Sequence, residues 1–124
     1  MKDIPKISES EWVVMKVIWN SNPITSNSIV DALFGSTDWK PKTIKTLLTR
    51  LVKKGVVGYE DRRREYHYYP LIEESVIVKK ESQSFLKRVF GGALKPMIAT
   101  MVESENLSKE EIEELKSLFE NKEE

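Results

Sequence analysis

The sequence predicts a mainly α-helical chain with one small β-hairpin, in two parts, residues 1–71 and residues 72–124. Three observations predict it. Apolar residues recur at helical spacing along most of the chain, in the N-terminal part and again in the C-terminal part. Two short runs of β-formers, Val56–Tyr59 and Glu65–Tyr69, flank a charged turn. Charge is also uneven: residues 1–70 carry 12 basic and 8 acidic groups and residues 71–124 carry 8 and 12, so +4 and −4 cancel in a chain of zero formal net charge.

Helix one is expected from Ser8. Ser8 and Glu11 have the spacing of a capping box, with Ile7 and Trp12 as its hydrophobic staple. Trp12, Met15 and Trp19, beside Val14 and Ile18, predict a well-buried helix that ends at Asn20-Ser21-Asn22-Pro23. Ile24 is a candidate for a short strand. Thr25 or Ser26 caps helix two, which carries Ile29, Val30, Leu33 and Phe34 and stops at Gly35. Helix three is expected over Pro41–Lys54. Proline suits its first position, where an N–H would be unpaired anyway, and Gly55 suits the residue just past its end. Ile44, Leu47, Leu48 and Leu51 turn to the core, and Lys42, Thr43, Thr46, Arg50 and Lys53 fall on the other face. The hairpin follows, with a turn over Glu60–Arg64 and a stop at Pro70. Helix–helix–helix–hairpin is the order of a winged helix-turn-helix.

Beyond Leu71 three amphipathic helices are expected. The first spans 72–90, with Ile72, Val76, Val78, Phe85, Leu86, Val89 and Phe90, and is broken by Gly91-Gly92. Leu94, Met97, Ile98, Met101 and Val102 form a second stripe. Ser108 and Glu111 form another capping box, opening a helix with Ile112, Leu115, Leu118 and Phe119. A segment this short cannot bury three apolar stripes alone, so a second copy of the chain is the expected partner and this region the expected dimerisation region.

Composition removes several classes of function. No cysteine is present and His67 is the single histidine, so neither a disulfide framework nor a zinc site of the usual kind can be built. No Ser–His or Cys–His pair and no phosphate-binding glycine loop is found, so neither an enzyme nor a cofactor is expected. The acidic run Glu110, Glu111, Glu113 and Glu114 reads as the solvated face of the last helix rather than a metal site. No apolar run is long enough to span a membrane and Met1–Trp12 lacks the apolar core of a signal peptide, so the expectation is a cytoplasmic protein without membrane insertion.

The basic window Lys40–Arg64 points elsewhere. It holds nine basic and two acidic residues, and none of the acids lies between Lys40 and Lys54. Thr43, Thr46 and Arg50 lie at i, i+3 and i+7, one stripe of a helix, where hydroxyls, methyls and a guanidinium can meet base edges. Lys40, Lys42 and Lys53 suit phosphates. A solvated face would account for the lysines, but not for threonines at 43, 46 and 49 where glutamate would serve solubility better. Arg62, Arg63 and Arg64 at the hairpin tip suit phosphate or the minor groove. Trp39 is placed either on the DNA backbone or against helix two. The candidate interface with double-stranded DNA is therefore Lys40, Lys42, Thr43, Thr46, Arg50, Lys53 and Arg62–Arg64. The competing expectation is a winged-helix protein-interaction module.

Several stretches together resemble the BlaI/MecI penicillinase repressors. Asp38-Trp39-Lys40-Pro41-Lys42-Thr43-Ile44, Leu48-Thr49-Arg50-Leu51 and Lys53-Lys54-Gly55 resemble that family's recognition helix. Ile7-Ser8 with Glu11-Trp12 resembles its first helix, Ile72-Glu73-Glu74-Ser75 its entry to the dimerisation region, and Leu107-Ser108 with Glu110-Glu111-Ile112 its last helix. The resemblance implies a homodimeric repressor of palindromic operators upstream of β-lactamase or penicillin-binding-protein genes, with Lys42, Thr43, Thr46 and Arg50 at the contacting positions. It also implies inactivation by a membrane sensor protease that cuts within the dimerisation region, at a bond aligned with Thr100–Met101, where the family commonly has asparagine and phenylalanine. Lys40 stands where the family commonly has serine. A repressor of unrelated genes with a different inducer is the alternative. The dimer residues expected are Val78, Phe85, Leu86, Val89, Leu94, Met97, Ile98, Met101, Ile112, Leu115, Leu118 and Phe119.

Overall fold

The computed structural model describes residues 4–122. Its elements follow the order α1 (Glu9–Asn20), β1 (Ile24–Thr25), α2 (Ser26–Leu33), α3 (Pro41–Lys53), β2 (Val57–Arg62), β3 (Glu65–Pro70), α4 (Glu74–Phe90), α5 (Leu94–Ser104) and α6 (Lys109–Lys122). The chain divides into two compact units, Met1–Glu81 and Ser82–Glu124.

The first unit is a winged helix. The expected capping box closes α1: the Ser8 hydroxyl accepts from the Glu11 N–H at 3.2 Å, and the Glu11 carboxylate accepts from the Ser8 N–H at 2.8 Å. Two orphan donors of the first turn are thereby satisfied. Thr25 caps α2 by accepting from the Ser28 N–H at 3.2 Å. Ile24 does form a third strand. The antiparallel sheet runs β1-β3-β2, with Ile24 opposite Tyr68 and Tyr59 opposite that same Tyr68. The core is Val14, Met15 and Ile18 of α1, Ile29 and Leu33 of α2, Ile44, Leu47, Leu48 and Leu51 of α3, and Val56 and Val57 entering β2. Four leucine or isoleucine residues on one side of α3 commit its other side to solvent.

Several local expectations need correcting. The buried face of α1 is centred on Val14, Met15 and Ile18, with Trp12 and Trp19 half-buried at its margin. Their rings lie 5.6 Å apart, and the Trp19 indole N–H donates to the Ile72 carbonyl at 3.0 Å. Phe34 does not belong to the apolar face of α2. It is the cap residue beyond the helix and is 90% exposed. α3 ends at Lys53, with Lys54 as its cap and Gly55 at φ 79°, which glycine adopts without a Cβ penalty. The hairpin turn is Arg63-Arg64 alone, because β2 continues through Arg62, which pairs with Glu65. The first helix beyond the sheet starts at Glu74, and its buried residue is Ile77, which the expected stripe omits. Ile77 docks on the core and Lys80 donates to the Ile4 carbonyl at 2.5 Å, both within the first compact unit.

In the second unit Gly91 and Gly92 both take positive φ and separate α4 from α5. The box at the start of α6 forms, with Ser108 and Glu111 exchanging bonds of 3.1 Å. No residue of α5 or α6 is buried. Among the described residues, no helix is long and apolar enough to cross a membrane.

Candidate nucleic-acid interface

The geometry of α3 follows from its two-sided sequence. With Ile44, Leu47, Leu48 and Leu51 locked into the core, Lys42, Thr43, Lys45, Thr46, Thr49, Arg50 and Lys53 are all exposed. Lys40 is the cap residue and makes no side-chain capping bond, so its ammonium is available at the start of the helix. Thr46 and Thr49 donate their hydroxyls back to the Lys42 and Lys45 carbonyls, both at 3.0 Å. Their outward capacity is therefore a methyl group and oxygen lone pairs, which suits a thymine methyl or a base amino group rather than an acceptor.

The hairpin, the wing of this fold, differs in charge from the run of arginines in its sequence. Glu60–Glu65 holds three arginines and three carboxylates. Arg62 lies in β2, and its guanidinium is held by Glu60 at 2.8 and 3.0 Å, so it does not form the tip. Arg63 and Arg64 do, at φ 54° and 68°. Two left-handed residues between paired strands make a type I′ turn, which usually takes Asn-Gly. Arginine there costs about 1 kcal/mol or more per residue.

Behind the tip, Tyr59, Tyr66 and Tyr68 stack along one sheet face. Tyr59 and Tyr66 lie 4.5 Å apart, and Tyr66 meets Tyr68 edge-on at 6.4 Å. Burial, with the neighbouring phenols Tyr66 and Tyr59, pushes the Tyr68 hydroxyl up from its ordinary value, so it stays a neutral donor. A cleft of about 400 Å³ opens between α3, the wing and the start of α2, lined by Ser26, Asn27, Lys45, Asp61, Arg64, Glu65, Tyr66 and Tyr68. Lys45 is a contact candidate that the i, i+3, i+7 stripe passes over, and its one sequence signal is its place in the acid-free run. Trp39 is half-buried against the core and lines a separate hollow with Phe34 and Pro41. His67 is half-buried in β3 with Nδ1 3.3 Å from the Glu65 carbonyl. Among the described residues no His, Cys, Asp and Glu cluster could hold a metal ion.

An ion pair between buried Glu11 and half-buried Lys54 fixes the far end of α3. Lys54 Nζ donates to Glu11 Oε1 at 2.5 Å and to the Lys6 carbonyl at 2.8 Å. Sequence spacing alone does not reveal this pair, because its members are far apart in the chain and both look like surface charges. Burial pushes the Glu11 carboxyl up, but the bonds from Lys54 and from the Ser8 N–H and hydroxyl outweigh it and hold the group below its ordinary value.

Of the expected dimerisation residues, Val78 lies on the part of α4 that belongs to the first unit and is exposed. Phe85, Leu86, Met97 and Ile98 are half-buried. Val89, Leu94, Met101, Ile112, Leu115, Leu118 and Phe119 are exposed. An apolar hollow of about 400 Å³ runs between α5 and α6, with Ile98, Met101, Val102, Leu107, Ile112, Leu115 and Phe119 on its walls. The Thr100–Met101 bond lies inside α5, and the Thr100 hydroxyl donates to the Pro96 carbonyl at 2.9 Å.

Comparison with known proteins adds four findings. The family model described as penicillinase repressor matches residues 7–121. A penicillinase repressor of Bacillus licheniformis is 42% identical over 120 residues, 97% of this chain and 94% of the relative. The methicillin resistance regulatory protein MecI of Staphylococcus aureus (strain N315) is 40% identical over 117 residues, 94% of this chain and 95% of the relative. Among solved structures, the monomeric form of Bacillus licheniformis BlaI in complex with the blaP half-operator superposes with a TM-score of 0.53 at 45% identity, covering 60% of this chain and 92% of that one.

Proposed function

The chain belongs to the penicillinase repressor family, and from that premise we propose that it is a homodimeric, DNA-binding transcriptional repressor rather than an enzyme. The exposed side of α3 is the observation that carries this reading. It offers Lys42, Thr43, Thr46 and Arg50 in one stripe, with no carboxylate between Lys40 and Lys54 and with the opposite side sealed into the core. In the proposed complex α3 enters the major groove, Thr43, Thr46 and Arg50 meet base edges, and Lys40, Lys42, Lys53, Arg63 and Arg64 neutralise phosphates. Arg62 keeps its bond to Glu60 and contributes through the shape of the wing. The solved complex of a 45% identical relative with a half-operator supports this use of the fold.

Residues 1–71 are the proposed reading part and residues 72–124 the proposed dimerisation part. The apolar walls of α5 and α6, left open within one chain, support a second copy as their cover. Linking two half-site contacts through the dimer raises occupancy without new contacts, and breaking the dimer removes that gain. The relatives are named for penicillinase and methicillin resistance, so β-lactamase or penicillin-binding-protein operators and a cytoplasmic site of action are proposed here too. A membrane sensor protease cutting Thr100–Met101 completes the scheme. That bond lies within helical hydrogen bonding, so cleavage requires α5 to open locally.

The test is fluorescence anisotropy with a duplex from upstream of the chain's own gene and a scrambled duplex, at near-physiological salt. Binding orders of magnitude tighter to the upstream duplex is expected of an autoregulated repressor, with Arg50→Ala erasing the preference. Equal weak binding to every operator-like duplex tried would leave the protein-interaction reading in its place.

A further inference from the structure

Resting on the repressor reading, we propose that the wing carries an electrostatic brake: Asp61 and Glu65 hold down sequence-independent DNA binding and act as specificity-determining residues. Two neighbouring surfaces differ in charge. Every charge on the outward side of α3 is positive, whereas the wing beside it is neutral, its three arginines matched by Glu60, Asp61 and Glu65. Glu60 is accounted for, because it holds the Arg62 guanidinium. Asp61 and Glu65 are not: among the described residues neither forms an ion pair. Both are among the residues that line the cleft between α3 and the wing, as are Lys45 and Arg64. Exposed carboxylates on a surface that approaches a polyanion weaken every complex in which a phosphate comes near them.

The repulsion depends on register. When α3 is seated at its own sequence, the course of the phosphate backbone past the cleft is set, and a phosphate can lie against Lys45 and Arg64. When the protein slides on unrelated DNA, phosphates sample the cleft in all registers, including those against Asp61 and Glu65. The cleft therefore penalises unseated complexes more than the seated one, which is specificity gained by repulsion. Non-specific binding rests almost wholly on phosphate neutralisation, so it responds most to the loss of two negative charges.

The experiment compares the full chain with its Asp61→Asn/Glu65→Gln variant, each titrated with scrambled and upstream duplexes over a range of salt. Glu110→Gln/Glu114→Gln, on α6, is the control for net charge. The scrambled duplex should bind the wing variant several-fold tighter, with a steeper salt slope, while the upstream duplex gains less and the specificity ratio falls. Unchanged scrambled-duplex binding overturns the brake, as does an equal gain in the α6 control. A parallel gain on both duplexes leaves the ratio intact and overturns the specificity role. Should the unaltered chain show no upstream preference, the repressor reading fails separately, and the scrambled-duplex arm still decides whether the carboxylates repel DNA.

Discussion

Glu11 is the buried charged residue of the described structure, 1% exposed, and it does two jobs at once. Its Oε1 closes the α1 capping box and receives Lys54 from the end of α3, while Oε2 is buried without a partner. The pair therefore ties the start of α1 to the end of α3, and its loss leaves polar groups stranded rather than merely removing a bond. Because the folded-state pKa of Glu11 lies below its ordinary value, its stabilisation is present above the ordinary carboxylate range and is lost as pH falls through the folded pKa. Glu11→Gln should cost about 2 kcal/mol at neutral pH, measured by urea denaturation. The difference from the unaltered chain should shrink on acidification. A gap that stays constant with pH would assign the effect to packing instead.

At the scale of elements, the wing is less stable than its sequence could make it. Two arginines occupy the left-handed positions of a two-residue turn that asparagine and glycine would occupy without strain. Strain kept at a tip that carries only positive charge is consistent with a role in binding. Arg63→Asn/Arg64→Gly should stabilise the unit by about 1 kcal/mol in urea denaturation and at the same time weaken DNA binding and flatten its salt dependence. Opposite signs in the two measurements are the expected signature. A variant that gains stability and binds DNA unchanged would take the tip out of the interface. The same hairpin shows why strands pack as they do. Gly58 faces Tyr69 across the ladder, and a Cβ there would come within 2.9 Å of the ring, so the glycine makes room for the tyrosine.

On the scale of the whole molecule, the first unit has a closed core and the second does not. Leu118 is 65% exposed and Phe119 and Met101 about half exposed, a surface that a monomer rarely leaves open. Met101→Asp on the wall of the α5–α6 hollow should give monomers in sedimentation at concentrations where the unaltered chain is dimeric. Operator binding should fall with dimerisation, and binding to a half-site much less. A persistent dimer would move the contact to other apolar residues of the stripe, such as Leu118.

The sequence by itself determined the helices, their caps and the exposed stripe of α3. These depend on interactions between residues a few positions apart: Ser8 with Glu11, Pro41 at a first helical position, and the leucines of α3 at helical spacing. It also carried the family resemblance, which sits in contiguous motifs. Only the tertiary structure decided that Arg62 is spent on Glu60, that the turn shrinks to Arg63-Arg64, that Phe34 points to solvent and that Ile77 closes the core. It alone joined Glu11 to Lys54 and brought Lys45 to the cleft of the wing. Those outcomes depend on strand register and on contacts between distant segments. Neither is encoded in local periodicity, because the energy that selects them exists only once the chain has folded back on itself.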